Sequence, residues 1–198
     1  MTGRATKPIR LVYETHATTT DNEAGIATGW LPGILSPTGR RQARELGDRR
    51  RNDGITAVFT SDLHRAVDTA RIAFAGTTLP IHHDPRLREC NYGHLNGCPQ
   101  TVLVPRRAQH IDEPFPGGLS YREVLAATED FLADLATRWD GSRILLIAHS
   151  ANRWALDCLL ADARLEDLVV QAPAHWQPGW EYTLPPPDQP GEPSRSEH

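Results

Sequence analysis

The feature that most constrains the fold is a short, continuous apolar run at 143–148, which contains Ile-Leu-Leu-Ile. An uninterrupted run of this kind is typical of a strand buried on both faces, and such strands occur mainly in parallel sheets covered by helices. His149 and Ser150 end the run. The pattern therefore predicts a central strand with a histidine at its carboxyl end, which is the edge where open α/β sheets bind ligands.

Other short apolar runs alternate with amphipathic stretches along the chain. The predicted strands lie at 9–13, 55–60, 79–83 and 180–184, and the predicted helices at 37–51, 63–74, 120–139 and 152–160. Ser36 is expected to cap the first helix, and either Ser61 or Asp62 the second. Ser120 and Glu123 form a capping box for the third. The alternation predicts an α/β fold, a three-layer α/β/α sandwich with a mainly parallel central sheet.

The chain length and the segments outside this alternation define the domain organisation. A chain of 198 residues is expected to hold a single domain, here at 9–184. Residues 1–8 form a polar lead and 185–198 a proline-rich polar tail, and both are expected to be disordered. The stretch 98–118 has no clean period, which indicates an irregular excursion that could act as a lid.

Charge and composition argue against some classes of binding partner. The formal net charge is -4 and no long basic run is present, so we expect no nucleic-acid partner. No apolar run is long enough to span a membrane, and the amino terminus has no signal-peptide core, so we expect no membrane partner. Three cysteines favour a reducing compartment over a disulfide framework, and the chain is expected to be cytoplasmic. The oligomeric state stays open.

Side chains that could take part in catalysis come after the predicted strands. His16 follows the first strand, Arg65 the second and His149 the central one, while Glu89 is the carboxylate of the loop 85–97. An imidazole can attack phosphorus, and cationic or donor groups such as Arg65 and His149 can hold the phosphoryl oxygens. Glu89 can protonate the leaving oxygen and then activate water. The set is complete for phosphoryl transfer without a metal or cofactor.

Competing chemistries have weaker support. Cys90, His94 and Cys98 are spaced like metal ligands, but glycines interrupt any helix that would align them. Ser150 lacks the glycine-flanked elbow of an esterase nucleophile. A non-catalytic phosphate-binding module remains an alternative, although binding phosphate does not require the proton donor Glu89.

Six segments, in order along the chain, resemble motifs of the histidine phosphatase superfamily, which has the phosphoglycerate mutase-like fold. They are Thr15-His16-Ala17-Thr18-Thr19 with Asn22, Leu35-Ser36-Pro37-Thr38-Gly39, Ser61-Asp62-Leu63-His64-Arg65-Ala66, Leu87-Arg88-Glu89 with Tyr92-Gly93, Pro116-Gly117-Gly118 with Ser120, and Ile147-Ala148-His149-Ser150. The resemblance implies a phosphorylated nucleophile, His16, a proton donor, Glu89, and two phosphate ligands, Arg65 and His149. Substrate-binding candidates are Asn22, Thr15, Thr19, Ser150 and Arg153.

The chain departs from the family pattern at its first motif. The arginine that precedes the nucleophile in the family is Thr15 here, and the glycine that follows the nucleophile is Ala17. A neutral hydroxyl therefore replaces a guanidinium that would contact the phosphoryl oxygens. Arg153 or Arg88 could supply the missing charge, and for each a solvated surface position is about as plausible.

The substrate is only broadly defined. Residues 27–30 resemble a loop of sugar-acid phosphate mutases, but the excursion at 98–118 is short, which favours hydrolysis over mutase activity. Trp30, Trp176 and Trp180 could stack on a ring-bearing substrate, although Trp176 and Trp180 could equally pack the last strand against the core. The predicted function is a metal-independent phosphomonoesterase acting on a small phosphorylated metabolite. The alternatives are a catalytically weakened or atypical family member and, with less support, a phosphoglycerate-type mutase.

Overall fold

The structure is a computed structural model that describes residues 7–170 and 179–187. Its strands are β1 (Ile9–Thr15), β2 (Ile26–Ala27), β3 (Ala57–Thr60), β4 (Ile81–His83), β5 (Cys98–Pro99), β6 (Arg143–Ala148) and β7 (Trp180–Leu184). Its α-helices are α1 (Thr20–Glu23), α2 (Pro37–Arg50), α3 (His64–Ala73), α4 (Gln100–Leu103), α5 (Tyr121–Arg138), α6 (Ser150–Leu160) and α7 (Leu165–Val170). Short 3-10 helices lie at Pro85–Leu87, Gly93–Leu95 and Val104–His110.

The main sheet has the strand order β4-β3-β6-β1-β7. Strands β4, β3, β6 and β1 pair in parallel, and β7 pairs antiparallel with β1 at the edge. The apolar run at 143–148 is β6, the middle strand, as predicted, and its residues from Ile144 to Ala148 are all buried. The prediction of a mainly parallel central sheet is confirmed. A second sheet pairs only β2 with β5.

Helices cover both faces of the sheet. On one face Leu11 and Tyr13 pack against Phe131 and Leu135 of α5 and against α6. On the other face the alternate β1 residue Val12 packs with β3, α2 and α3. Successive side chains of a strand point to opposite faces, so β1 contributes to both cores. The three-layer α/β/α prediction is confirmed, and the carboxyl ends of β1, β3 and β6 meet at one edge.

Helix starts follow the predicted caps with one exception. The Ser36 hydroxyl accepts from the backbone N–H of the third α2 residue, and Ser120 forms the capping box with Glu123 at α5. The prediction for α3 is wrong, because α3 begins after Leu63 with no side-chain cap. The Ser61 hydroxyl bonds His149, and Asp62 pairs with an arginine.

The stretch 98–118 is more regular than predicted. It contains β5, α4 and the 3-10 helix Val104–His110. Three of its apolar side chains, Leu103, Ile111 and Phe115, are buried in a cluster with Tyr121 and Trp154 from α5 and α6. The expectation of an irregular excursion therefore fails, because these buried side chains anchor the segment without a helical period in the sequence.

The expected disordered ends lie almost wholly outside the described residues, at 1–6 and 188–198, and Trp176 is outside them too. Residues 7–8 and 185–187 are described and have neither helix nor strand. Within the described ranges, no helix combines the length and the hydropathy that a membrane span requires.

Candidate active site

His16 lies directly after β1, and its backbone N–H donates to the carbonyl of Ala148 in β6 at 3.0 Å. Its ring Nδ1 lies 2.8 Å from the carbonyl oxygen of Ala17. Because a carbonyl can only accept, Nδ1 carries the proton and Nε2 keeps its lone pair. Burial, helped by the charge of Arg65, lowers the pKa of His16 to about 3. The ring is therefore neutral at physiological pH, which is the form required of a nucleophile.

Arg65, in the first turn of α3, is only 2% exposed. Its Nε–H donates to His16 Nε2 at 3.2 Å, and its two terminal nitrogens donate to the carbonyls of Gly29 at 2.8 Å and Leu31 at 3.3 Å. These contacts fix a positive charge beside the lone pair of His16. Backbone carbonyls only partly balance that charge, so the position favours an anion.

His149 is the residue after β6, caps α6 and is fully buried. Its ring centroid lies 5.1 Å from that of His16. Nε2 lies 2.7 Å from the Ser61 hydroxyl, whereas Nδ1 has no partner among the described residues. Burial, with smaller contributions from Arg65 and His16, holds the pKa of His149 well below its ordinary value. The ring is therefore neutral and has one unused nitrogen.

Glu89 is buried in the loop after the 3-10 helix Pro85–Leu87. Its Oε1 accepts from the backbone N–H of Cys90 at 2.8 Å, and the backbone N–H of Ala151, in the first turn of α6, also bonds the carboxylate. Burial outweighs these bonds and the nearby arginine charges, so the pKa of Glu89 is raised. A raised pKa favours the protonated carboxyl group, which is the form that general-acid catalysis uses.

One small cavity, of about 80 Å³, connects three of these groups, whereas the His149 ring lies next to that of His16 but does not line the cavity. Its lining includes His16, Arg65 and Glu89 together with the candidates Asn22 and Ser150. Its volume is well below the roughly 300 Å³ at which pockets for drug-sized ligands begin. The site can therefore enclose a phosphoryl-sized group and a small part of what is attached to it.

The same cavity is lined by three residues to which the sequence analysis gave no role in the site, Tyr92, Gln100 and Arg107. Arg107 belongs to the 3-10 helix in the excursion. Its only trace in the sequence is the arginine pair at 106–107, which lies in a segment without periodicity. Packing around Leu103 and Ile111, rather than a local pattern, places this arginine at the site.

Three predicted substrate contacts lie elsewhere. Thr15 borders a separate cavity of about 40 Å³, with Gln42 and Arg49, and not the cavity that holds Arg65 and Glu89. Thr19 is fully buried and its hydroxyl bonds Asn22, so it supports Asn22 rather than facing a ligand. Arg153 is tied to its own helix by Asp157.

Neither arginine proposed to replace the missing charge is free to do so. Arg153 forms a salt bridge at 2.5 Å with Asp157, one turn along α6, and its guanidinium stacks on Trp180. Arg88 binds Asp62 through two nitrogens, at 2.6 and 2.5 Å, and stacks on Trp30. These contacts take up both guanidinium groups away from the cavity.

The same contacts occupy two of the proposed stacking tryptophans. The indole N–H of Trp30 also donates to the carbonyl of Glu89 at 2.6 Å, so this side chain holds the acid's loop rather than a ligand. Trp180, the first residue of β7, is half-buried and packs against Tyr13 and Arg153.

The expected alternatives to phosphoryl transfer gain no support from the geometry. Within the described parts of the chain, His, Cys, Asp and Glu side chains form no group of three that could hold a metal ion, so Cys90, His94 and Cys98 do not assemble a site. Ser150 lines the cavity as the first residue of α6, but no described contact links its hydroxyl to a base.

A family model of the histidine phosphatase superfamily (branch 1) matches residues 15–176. The chain belongs to this superfamily. The predicted family is confirmed, and with it the expectation of a phosphatase-type enzyme. The roles assigned to individual residues of this histidine phosphatase remain predictions.

Individual relatives agree with this assignment. A protein of Yersinia pestis named "Probable phosphoglycerate mutase GpmB" is 34% identical over 171 residues, which cover 81% of this chain and 74% of the relative. Among solved structures, YhfR of Bacillus stearothermophilus matches with a TM-score of 0.73 and 26% identity, covering 81% of this chain and 83% of that one. A mycobacterial glucosyl-3-phosphoglycerate phosphatase matches with a TM-score of 0.73 and 26% identity, covering 82% and 87%.

Proposed function

We propose that this histidine phosphatase hydrolyses a small phosphate monoester through a phosphohistidine formed on Nε2 of His16. The observation that carries the proposal is the state of the His16 ring. Its Nδ1–H is donated to Ala17, and its Nε2 lone pair faces the guanidinium of Arg65, in a cavity shared with the buried carboxyl group of Glu89.

The first step transfers the phosphoryl group to the enzyme. The Nε2 lone pair attacks phosphorus as the bond from phosphorus to the ester oxygen breaks. The carboxyl group of Glu89 gives its proton to the departing oxygen and becomes a carboxylate. The Nδ1–H bond to Ala17 stabilises the positive charge that develops on the His16 ring.

The second step regenerates the enzyme. The Glu89 carboxylate takes a proton from a water molecule, whose oxygen attacks the phosphorus of the phosphohistidine. The bond from nitrogen to phosphorus breaks, inorganic phosphate leaves, and both His16 and Glu89 return to their starting protonation states. One carboxyl group thus serves as acid and then as base.

The charge on the phosphoryl oxygens needs donors in both steps. Arg65 supplies a charged guanidinium, and the free Nδ1 of His149 can donate if Ser61 holds its other nitrogen as an acceptor. Asn22 and the start of α6 at Ser150 line the same cavity and add neutral donors. On this proposal no divalent metal is required.

A mutase is the second candidate, and the observation in its favour is the Yersinia relative named a probable phosphoglycerate mutase. Both reactions share the phosphohistidine and differ in what accepts the phosphoryl group, water or a second hydroxyl of the substrate. The cavity of about 80 Å³ gives little room to turn a metabolite end for end, which favours water.

Product analysis with purified protein separates the two reactions. We expect inorganic phosphate from 3-phosphoglycerate and from aryl phosphates, with no 2-phosphoglycerate. Rapid acid-free quenching with ³²P-labelled substrate should place base-stable, acid-labile label on His16, and His16→Ala should remove it. Isomer formation without phosphate release would select the mutase. Label on another residue would refute the nucleophile.

A further inference from the structure

We propose that Asn152 is a positioning residue that holds the proton donor Glu89 at a fixed place relative to the phosphoryl ligand His149. The inference rests on the proposed function, because it assigns a further role in the same hydrolysis. Asn152 lies in the first turn of α6, and the cavity lining does not include it. It therefore acts through its neighbours rather than on the substrate.

The Asn152 carboxamide is fully buried and makes three contacts. Its Oδ1 accepts from the backbone N–H of His149 at 3.2 Å, and its Nδ2 donates to the backbone carbonyl of Arg88 at 3.3 Å and to the Thr128 hydroxyl oxygen at 3.5 Å. The Thr128 O–H itself donates to the carbonyl of Val124, so its oxygen is available as an acceptor. These partners select one orientation of the amide, because a flipped amide would set donor against donor and oxygen against carbonyl.

The two backbone groups that this amide joins belong to different halves of the proposed site. One is the N–H of His149, whose ring lies beside that of His16 and whose Nδ1 has no partner among the described residues. The other is the carbonyl of Arg88, the residue directly before Glu89. A single planar side chain thus connects the end of β6 with the loop that carries the acid.

The backbone around Glu89 is held from both sides. The indole N–H of Trp30 donates to the carbonyl of Glu89, and Asn152 holds the carbonyl before it. The carboxylate accepts from the backbone N–H of Cys90 and from that of Ala151. Because Ala151 and Asn152 are adjacent in α6, the first turn of this helix contacts both the backbone and the carboxyl group of the acid's loop.

Geometry accounts for this amide better than stability does. Burying an amide costs free energy that its hydrogen bonds offset only in part, and all three contacts of Asn152 are longer than the usual 2.9–3.0 Å. Proton transfer, in contrast, requires the acid to lie within hydrogen-bond reach of the leaving oxygen. A displacement of about 1 Å can lower a rate roughly a hundredfold. The position of Glu89 is therefore the property that the Asn152 contacts control.

The test is the dependence of the rate on the leaving group. Asn152→Leu keeps the approximate size of the side chain and removes all three contacts. We expect kcat/KM on glycerol 3-phosphate, whose leaving alkoxide needs a proton, to fall roughly ten- to a hundredfold. The value on p-nitrophenyl phosphate should fall by no more than about threefold, because this ester leaves without a proton. General damage to the fold would lower both values by the same factor.

Two further variants control for stability. Thr128→Val removes the third contact of the same buried amide but leaves those to His149 and Arg88. It should lower the melting temperature and leave the ratio of the two kcat/KM values within about twofold of the starting ratio. Asn152→Ser shortens the side chain by one bond and loses the Arg88 contact. It should shift the ratio in the same direction as Asn152→Leu, and it serves as the test if Asn152→Leu does not fold.

A double-mutant cycle shows whether Asn152 acts through the acid. In the Glu89→Gln background, Asn152→Leu should change the ratio by less than about twofold, because the acid that it positions is already absent. Equal losses on both esters, no loss on either, or a full further shift in the Glu89→Gln background would overturn the inference while hydrolysis at His16 stands. Hydrolysis that survives His16→Ala overturns the proposed nucleophile, whatever the ratio. If the unaltered protein hydrolyses no ester, the proposed function and the inference both fall.

Discussion

The Ser61 hydroxyl lies 2.7 Å from Nε2 of His149, and both side chains are fully buried. If Ser61 donates this hydrogen bond, the His149 proton must reside on Nδ1, the nitrogen with no partner in the described chain. Ser61 would then act through His149 as a positioning residue, since it keeps a donor available for the phosphoryl oxygens. The hydroxyl expected to cap α3 is used for this contact instead.

The first prediction concerns this contact. Ser61→Ala should release Nε2 of His149 and allow the other tautomer of its ring. We expect kcat to fall roughly five- to thirtyfold, which corresponds to the loss of about 1–2 kcal/mol for one buried hydrogen bond. Nitrogen-15 spectra of the imidazole groups should show the change of tautomer directly. Ser61→Thr, which keeps the hydroxyl, is the matched control. Loss of kcat without any change in the His149 spectrum would assign Ser61 a purely structural part.

The second prediction concerns the acid. Glu89→Gln should slow alkyl phosphates far more than p-nitrophenyl phosphate, because the nitrophenolate oxygen leaves without needing a proton. Steady-state rates on both esters measure the ratio. Glu113→Gln, a change of the same kind at an exposed position, controls for the loss of one carboxylate. An equal loss on both classes of ester would remove Glu89 from the proton-donor role.

The third prediction concerns pH. His16, with a pKa lowered to about 3, is neutral above that pH, so kcat/KM should not be limited by its protonation between about pH 4 and 7. Burial raises the pKa of Glu89, so its carboxyl group stays protonated to a higher pH than usual. For alkyl esters kcat/KM should therefore fall as pH rises through that raised pKa.

The pH profile of Glu89→Gln provides the internal check for this assignment. The variant should be slower overall and should lack the fall at high pH, because the titrating group has been removed. A fall that persists unchanged in Glu89→Gln belongs to another group. A profile that rises toward alkaline pH would contradict the assignment of a protonated acid.

The fourth prediction is that activity does not depend on a divalent metal. Arg65 and His149 provide the charge and the donor that a metal would otherwise supply in the proposed mechanism. Extended dialysis against EDTA should leave the rate within about twofold of the starting value. Complete loss of activity, restored by magnesium or zinc, would contradict this mechanism.

The sequence was most informative about the candidate site residues that come after a strand. His16, Arg65 and His149 follow β1, β3 and β6, so strand prediction placed them at one edge of the sheet, and the observed strand order makes these three strands neighbours. Arg107 and the partner of Ser61 were not predictable in this way. Their contacts join residues far apart in the chain, through packing that leaves no period, and the same holds for the anchored segment around Leu103.

The contacts of individual arginine side chains were also difficult to predict from the sequence. Arg88 and Arg153 were reasonable substitutes for the missing motif charge by position alone, since one adjoins the acid and the other lies a turn beyond His149. Each instead lies beside both a carboxylate and an indole ring, and a guanidinium binds these together readily. The position of an arginine in the sequence indicates where its backbone lies, but it does not determine which of several nearby groups the guanidinium contacts.

The last prediction concerns Thr15, where the family has an arginine. The structure removes one objection to the missing-charge interpretation, because Arg88 and Arg153 are both engaged away from the cavity. Thr15 borders a cavity of about 40 Å³ that also reaches His16, so a longer side chain at this position can extend along the ring toward the phosphoryl group. Thr15→Arg should then add a charged contact that strengthens in the transition state.

We expect Thr15→Arg to raise kcat/KM on p-nitrophenyl phosphate roughly ten- to a hundredfold. This gain corresponds to about 1.5–3 kcal/mol, the contribution of a charge-assisted hydrogen bond. Thr15→Gln, which is long and neutral, should give no such gain. Arg49 lines the same small cavity and opposes the change by like-charge repulsion, although Glu14, 3.5 Å from Arg49, offsets part of that repulsion. A fall in activity on the aryl ester would mean that repulsion or crowding dominates, and would refute the missing-charge account. A gain on the aryl ester with a loss on 3-phosphoglycerate would show that the alcohol part of that ester fills the space beside Thr15.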